Sequence, residues 1–286
     1  FGFVTTANAD AQTGNKPAQI LFQNVNIFNG IDNQLIKGKD VLVEGNRIKA
    51  VGSELAVAQQ VQVIDGGGRT LMPGLIDSHV HFNLSMDGGR AGMEQSRWDY
   101  TAVMGAAAAS EWIADGFTTV RDMGGTLDGL RKVIDDGLID GPRMYLAGST
   151  ISQSGGHGDF TFPGQDNKPE YANLVRLQIN KIADGEDEIR KVVRQNFSLG
   201  SNIVKIMVGS GVAGAKTPMF VGQMSDVEII AAVEEAERQD TYVAAHVYLD
   251  EHINRALKLG VKTIEHGQYI SEETAQLLKK KGGFIS

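Results

Sequence analysis

The sequence predicts an α/β chain, an incomplete (β/α)8 barrel of the TIM type preceded by a small N-terminal β-sandwich. Three observations point there. From residue 72 onward, short apolar runs alternate with helical stretches, the pattern of a parallel sheet. More than six such strands follow in succession without a dinucleotide-binding glycine fingerprint, which favours a barrel over a doubly wound sheet. Residues 19–71, by contrast, are strand-rich and helix-poor, so they form a separate unit.

The first 18 residues stand apart from both. Phe1 to Thr6 is mostly apolar, and Ala7-Asn8-Ala9 before Asp10 has the small-x-small pattern of a signal-peptidase site. The expectation is a signal-peptide remnant cleaved after Ala9, with a periplasmic or secreted mature protein. Asp10 to Ala18 is polar and reads as a disordered leader. In the β unit, Ile20 to Phe28 is a strand. Asp40 to Val51 forms two strands around the turn Glu44-Gly45-Asn46-Arg47, and Val61 to Asp65 is another, closed by Gly66-Gly67-Gly68.

The barrel begins at residue 72, where an apolar strand follows the Pro73-Gly74 break and ends in His79-Val80-His81. A helix follows over Trp98–Asp115, then a strand over Phe117–Asp122. A short helix over Leu127–Asp136 leads to a third strand, Arg143–Gly148. The long loop from Ser152 to Tyr171 carries Gly155-Gly156-His157-Gly158-Asp159. After a helix over Asp187–Leu199 comes the fourth strand, Asn202–Val208. Ser225 to Gln239 opens with a Ser-x-x-Glu capping box and is helical. Thr241–His246 is the fifth strand. Glu251–Leu259 is a helix closed by Gly260, and Val261–His266 is the sixth strand. Ser271 to Lys281 is a capped helix, and a seventh strand starts at Gly283. With no initial Met and no eighth strand, the chain is expected to be part of a longer gene product and inactive by itself.

Composition narrows the function. The chain has 286 residues, 42% hydrophobic and 22% charged, enough apolar surface for a large core. A net charge of −8 and the lack of a basic cluster beyond Lys279-Lys280-Lys281 disfavour nucleic acid and anionic membrane as partners, since both need a basic face. No apolar run is long enough to span a bilayer. There is no cysteine, so thiolate metal sites, thiol catalysis and disulfides are ruled out. A homo-oligomer is compatible with all of this.

Barrel enzymes carry their chemistry at the C-terminal ends of the strands. Four of the six histidines lie there: His79, His81, His246 and His266. His79 and His81 alternate onto one face of their strand and can grip one ion. His157 lies in the glycine-rich loop, and His252, on a helix, reads as solvent-exposed. Lys205 sits within the apolar strand Ile203-Val204-Lys205-Ile206-Met207, where a lone ammonium is costly. It reads either as a lysine reaching a carboxylate at the barrel mouth or as one altered chemically. A desolvated amine can add carbon dioxide to become an anionic carbamate, which bridges two ions as a carboxylate would. Tyr248, two residues past His246, faces the same way; it reads as a substrate contact or as rim packing. Arg121-Asp122 reads as an ion pair below the site.

The order of these residues resembles the amidohydrolase superfamily of metal-dependent hydrolases. The surrounding text matches too: Pro73-Gly74-Leu75-Ile76-Asp77-Ser78-His79-Val80-His81, Gly116 to Asp122, Gly155 to Asp159 and Ile264-Glu265-His266-Gly267. The last three are similar to the imidazolonepropionase-like branch that holds Xaa-Pro dipeptidases. This resemblance covers about residues 19 to 286. It implies that His79 and His81 bind the more buried of two divalent ions, and that His246 and His266 bind the second. Lys205, as a carbamate formed with carbon dioxide, would bridge them. Zinc suits the nitrogen and oxygen donors. A bridging hydroxide would then attack the amide carbonyl of a small amide or dipeptide substrate. His157 would face the substrate, donating to the developing oxyanion, and Tyr248 would hold the substrate's carboxylate or carbonyl. The family's proton-shuttling aspartate on the eighth strand is absent from this chain.

Two other functions compete. An imidazolonepropionase-like hydrolase of a cyclic amide would use one metal ion and no bridging lysine, so Lys205 counts against it. A non-catalytic binding or scaffold homologue would be expected to have lost ligands, whereas all five ligand positions present here are filled.

Overall fold

The computed structural model describes residues 18–84, 89–162, 168–214 and 216–286. The signal-like segment and all of the leader except Ala18 lie outside the described residues. The chain divides into two compact units, one up to Pro73 and one from Gly74 onward.

The first unit is a single five-stranded sheet. Its strands are β1 (Gln19–Ile27), β2 (Ile36–Glu44), β3 (Arg47–Gly52), β4 (Gln62–Asp65) and β5 (Thr70–Leu71). The antiparallel β2–β3 hairpin turns at Gly45-Asn46, as the sequence predicts, with Gly45 at φ +59°. β1 pairs antiparallel with β2 and parallel with β4 and β5. The expected sandwich would need a second stacked sheet, and the described residues of this unit form only one. The brief strand β5 escapes the sequence because two residues show no periodicity.

The second unit is a parallel α/β structure. β6 (Leu75–Val80), β7 (Phe117–Asp122) and β8 (Arg143–Leu146) form one parallel sheet. The second parallel sheet runs β10 (Asn180–Ile182), β9 (Thr150–Ser152), β11 (Val204–Met207), β12 (Val243–Leu249), β13 (Thr263–Tyr269), β14 (Phe284–Ile285). The helices between them are α1 (Gly89–Gln95), α2 (Trp98–Ala114), α3 (Asp128–Asp135), α4 (Asn173–Arg176), α5 (Glu186–Ser198), α6 (Asp226–Glu237), α7 (Asp250–Lys258) and α8 (Glu272–Lys280). The described part of the loop expected over Ser152–Tyr171 ends in a 3-10 turn, Pro169–Tyr171, leading into α4 and β10. Neither of those short elements is visible in the periodicity.

Alternation along the strands sorts the side chains. Val204, Ile206 and Val208 on or just beyond β11, Val243, Ala245 and Val247 on β12, and Ile264 on β13 belong to one buried cluster. They share it with Ile189 and Val193 of α5, Ile229 and Ala232 of α6, and Ile253 and Leu257 of α7. Each buried Val, Ile or Leu side chain here contributes ~1.5–3 kcal/mol. The intervening positions, Lys205, His246 and Glu265, therefore project away from the helices. A smaller cluster does the same for the first sheet. Val80 and Phe82 pack with Val120, Leu146 and Ala109, which turns His79 and His81 the other way.

Side chains cap the starts of α6 and α8. Ser225 and Glu228 form the expected capping box of α6, with Ser225 N donating to Glu228 Oε2 at 2.6 Å. The other oxygen of Glu228 accepts from Gly185 N at 2.7 Å, at the start of α5. Ser271 Oγ accepts from Thr274 N at the start of α8. Among the described residues no helix is long and apolar enough to cross a membrane.

Candidate active site

The strand geometry brings the predicted side chains together. The His79 and His81 rings lie 5.2 Å apart between centroids, edge to face. His79 is 4.8 Å from His266, and His266 is 4.6 Å from His246. His157, arriving from its loop, stacks on His246 at 4.0 Å with 13° between the ring planes. Tyr248 stands 5.1 Å from His246 and 5.5 Å from His266. Lys205 is 1% exposed, and its charge acts on all five of these histidines.

His266 reaches this cluster by breaking the alternation. Glu265 points to the site, so a regular strand would send His266 toward the helices. Instead His266 has φ +78° and Gly267 φ +58°. The β12–β13 register shifts just beyond, between Val247 paired with His266 and Leu249 paired with Tyr269. A left-handed non-glycine residue is strained by roughly 1–3 kcal/mol and is held only by its surroundings. Here it swings the imidazole into the cluster, and Gly267 takes the second left-handed position.

Burial sets the charge state. It lowers the His81 pKa to about 3 and those of His157 and His266 to about 4, with the Lys205 ammonium adding to the effect. His246 lies well below its ordinary value for the same reason. Burial also lowers His79, against the opposing pull of its hydrogen bond to the Glu265 carboxylate. All five imidazoles are thus neutral at pH 7, the form that binds metal. Lys205 is itself brought down to about 8 by burial. Asp122, wholly buried, is pushed up to about 7 although it accepts from Phe82 N at 2.8 Å and Gly124 N at 3.0 Å.

Two readings of the sequence are corrected. Arg121 does not pair with Asp122. Adjacent strand residues project to opposite sides, and Arg121 Nη2 instead meets Glu265 Oε1 at 2.7 Å. His252 is not solvent-exposed. Its side chain is only 17% exposed, and it packs so tightly on Gly222 that a Cβ there would fall 2.4 Å from its ring.

The structure adds partners that the sequence did not single out. Glu265 Oε2 lies 2.7 Å from His79 Nδ1. Ser210 O lies 3.2 Å from His246 Nε2. Gln223 Oε1 accepts from His157 N at 2.9 Å, and Lys216 pairs with Asp159 at 2.9 Å beside it. Of these only Glu265 left a trace in the sequence, as a carboxylate at an inward position of an apolar strand.

The donor set fits a metal site by its chemistry. Four neutral imidazoles face one another across about 5 Å, the Nδ1 of His81 is buried without a hydrogen-bond partner among the described residues, and Glu265 orients His79 as an outer carboxylate orients a ligand. The cluster is looser than a closed coordination sphere. Among the described residues no three His, Asp or Glu side chains are near enough to hold one ion as they stand.

Residues 70–286 match the family model described as Amidohydrolase family. The chain belongs to the amidohydrolase family. Among relatives of this amidohydrolase, the ochratoxinase of Aspergillus niger is 32% identical over 274 residues, covering 88% of this chain and 55% of that protein. The chain thus spans about half the length of the curated relative it matches. A prolidase solved in complex with N-methylphosphonate-L-proline superposes with a TM-score of 0.86 at 34% identity, over 94% of this chain and 65% of that one. A Xaa-Pro dipeptidase with methionine bound in its active site superposes at 0.80, with 28% identity over 94% and 66%.

Proposed function

We propose that this amidohydrolase is a metal-dependent hydrolase of C–N amide bonds in small substrates, with dipeptides of the Xaa-Pro kind as the leading class. The observation that carries the proposal is the set of four burial-neutralised histidines around the buried Lys205. The likeness to a prolidase and a Xaa-Pro dipeptidase supports the substrate class, and ochratoxinase supports hydrolysis more broadly. We also read the two parallel sheets as arcs of one (β/α)8 wall. Backbone hydrogen bonds from Asn202 N to Leu146 O at 2.7 Å, and a contact between the Ser78 and Ser286 hydroxyls at 2.7 Å, support that reading.

In the proposed site His79, His81, His246 and His266 would hold two divalent ions, with Lys205, as a carbamate, completing the donor set. Zinc suits this donor set. Two such ions would supply a water ionised at neutral pH and polarise the scissile carbonyl. The protein's own groups then orient the substrate. His157, braced by Gln223 and stacked on His246, presents its unpartnered Nδ1 as a donor to the carbonyl oxygen. Tyr248, beside His246 and His266, holds the substrate's carboxylate. Export to the periplasm or medium, with cleavage after Ala9, completes the proposal.

The test is metal content and hydrolysis by the intact gene product. It should carry about two ions per chain and release proline from Xaa-Pro dipeptides, and Lys205→Ala should lose most of both. One ion per chain with Lys205→Ala unaffected would favour the mononuclear cyclic-amide hydrolase. A protein that binds no metal would defeat both enzymatic readings.

A further inference from the structure

Among the described residues, His79 differs from the other histidines in having a buried carboxylate of its own. Glu265 is 0% exposed, and both of its oxygens are engaged. Oε2 meets His79 Nδ1 at 2.7 Å. Oε1 accepts from Arg121 Nη2 at 2.7 Å and from Thr263 Oγ1 at 3.0 Å. A carboxylate this deep is costly unless paired and fully hydrogen-bonded, and the guanidinium meets that need. Arg121 does more than neutralise. Its Nε donates to Ser78 O at 2.7 Å, the backbone carbonyl immediately before His79. Its Nη1 donates to Tyr242 Oη and Thr263 Oγ1, each at 3.3 Å. One planar fork therefore holds both the main chain leading into His79 and the carboxylate that holds its ring.

We propose that Arg121 and Glu265 form a clamp that fixes the tautomer and orientation of His79, making both of them positioning residues for the metal site. With Glu265 accepting from Nδ1–H, the proton sits on Nδ1 and the lone pair of Nε2 is free for the ion. The consequence for metal rests on the function proposed above; the tautomer rests on geometry alone. Because Arg121 balances the charge of Glu265, the clamp works through direction rather than by adding negative charge.

The chemistry of the amide gives a sharp test. In Glu265→Gln the side-chain oxygen must turn to Arg121, which can only donate. Its NH2 group then faces His79, so Nδ1 becomes an acceptor and the proton moves to Nε2. Long-range 15N–1H NMR on the metal-free intact protein should show His79 as the Nδ1–H tautomer in the wild type and as Nε2–H in Glu265→Gln. Competition with a zinc chelator should show zinc binding weakened by ~10–100-fold. Arg121→Lys keeps the charge but lacks the fork. It should release the constraint on His79, giving mixed tautomers and an intermediate loss of zinc affinity, and it serves if Glu265→Gln does not fold. The clamp is refuted if wild-type His79 carries its proton on Nε2. It is also refuted if both variants keep the wild-type tautomer and zinc affinity within about twofold. A wild type that shows the Nδ1–H tautomer yet binds no zinc would uphold the clamp and sink the metal-site reading.

Discussion

Lys205→Met should stabilise the metal-free protein while abolishing metal uptake. Lys205 is 1% exposed, and none of the described ion pairs includes it, since the nearby Glu265 is already engaged by Arg121 and His79. Burial brings its pKa from 10.5 to about 8. That difference corresponds to about 3 kcal/mol by which folding is opposed while the lysine must carry its proton. The sign follows from proton binding. Between pH 8 and 10.5 the unfolded chain holds more protons on this group than the folded one, so stability rises across that interval. Below pH 8 the full penalty applies. Methionine has similar length and no charge, and the strand interior tolerates such a swap. Urea melts of metal-free protein in buffer freed of carbon dioxide should therefore show Lys205→Met more stable by about 3 kcal/mol at pH 7. The gap should narrow steadily toward pH 10.5. A variant less stable than the wild type at pH 7, or a gap that does not change with pH, would mean that Lys205 is a structural cation and that the reasoning is wrong.

Two further outcomes are expected. In Gly211→Ala the new Cβ would fall 2.5 Å from His246 Nε2 and 2.9 Å from His157 Cε1. Displacing that stacked pair should lower kcat/KM by ~10²-fold, read in a dipeptidase assay, with circular dichroism unchanged; full activity would show that the pair is not at the reacting centre. Glu235 is 5% exposed and held to about 2 by its hydrogen bond from Arg194, with Arg190 and Arg238 beside it. Its stabilising contribution is present above the ordinary value of 4.5 and is lost as pH falls from there toward 2. Since Arg194 and Arg238 are 62% and 59% exposed, screening reduces it to about 1–2 kcal/mol. Thermal melts of Glu235→Gln should show that deficit at pH 7 and none at pH 2; an equal deficit at both would point to packing instead.

The strand–helix order was legible because β11, β12 and β13 are largely buried on both faces and so read as short apolar runs, broken by polar residues such as Lys205 and His246. The positions of His79, His81, Lys205 and His246 followed from those same runs. His266 did not follow. Its place in the cluster depends on a left-handed backbone turn at His266 and Gly267 that alternation alone would not give. The pairing of Arg121 was misread because nearness in sequence was taken for nearness in space, when neighbouring strand positions diverge. Glu265 stands in the motif Ile264-Glu265-His266-Gly267, but its role was not legible because nothing in a single sequence says which ring lies opposite it. The short strands β5 and β10 were missed because two or three residues are too few to display a period.

The divergence of Arg121 and Asp122 bears on how this chain can vary over evolutionary time. Arg121 reaches Glu265 and the carbonyl of Ser78 from one side of β7, and Asp122 receives the amides of Phe82 and Gly124 from the other. A single-residue insertion or deletion within β7 would exchange the two sides. It would set a guanidinium against two backbone donors and a carboxylate against Glu265. Lineages can therefore exchange the apolar residues of this strand, such as Val120, for others of like volume, while its length stays fixed. Indels should instead collect in the loops that join β7 to its neighbours.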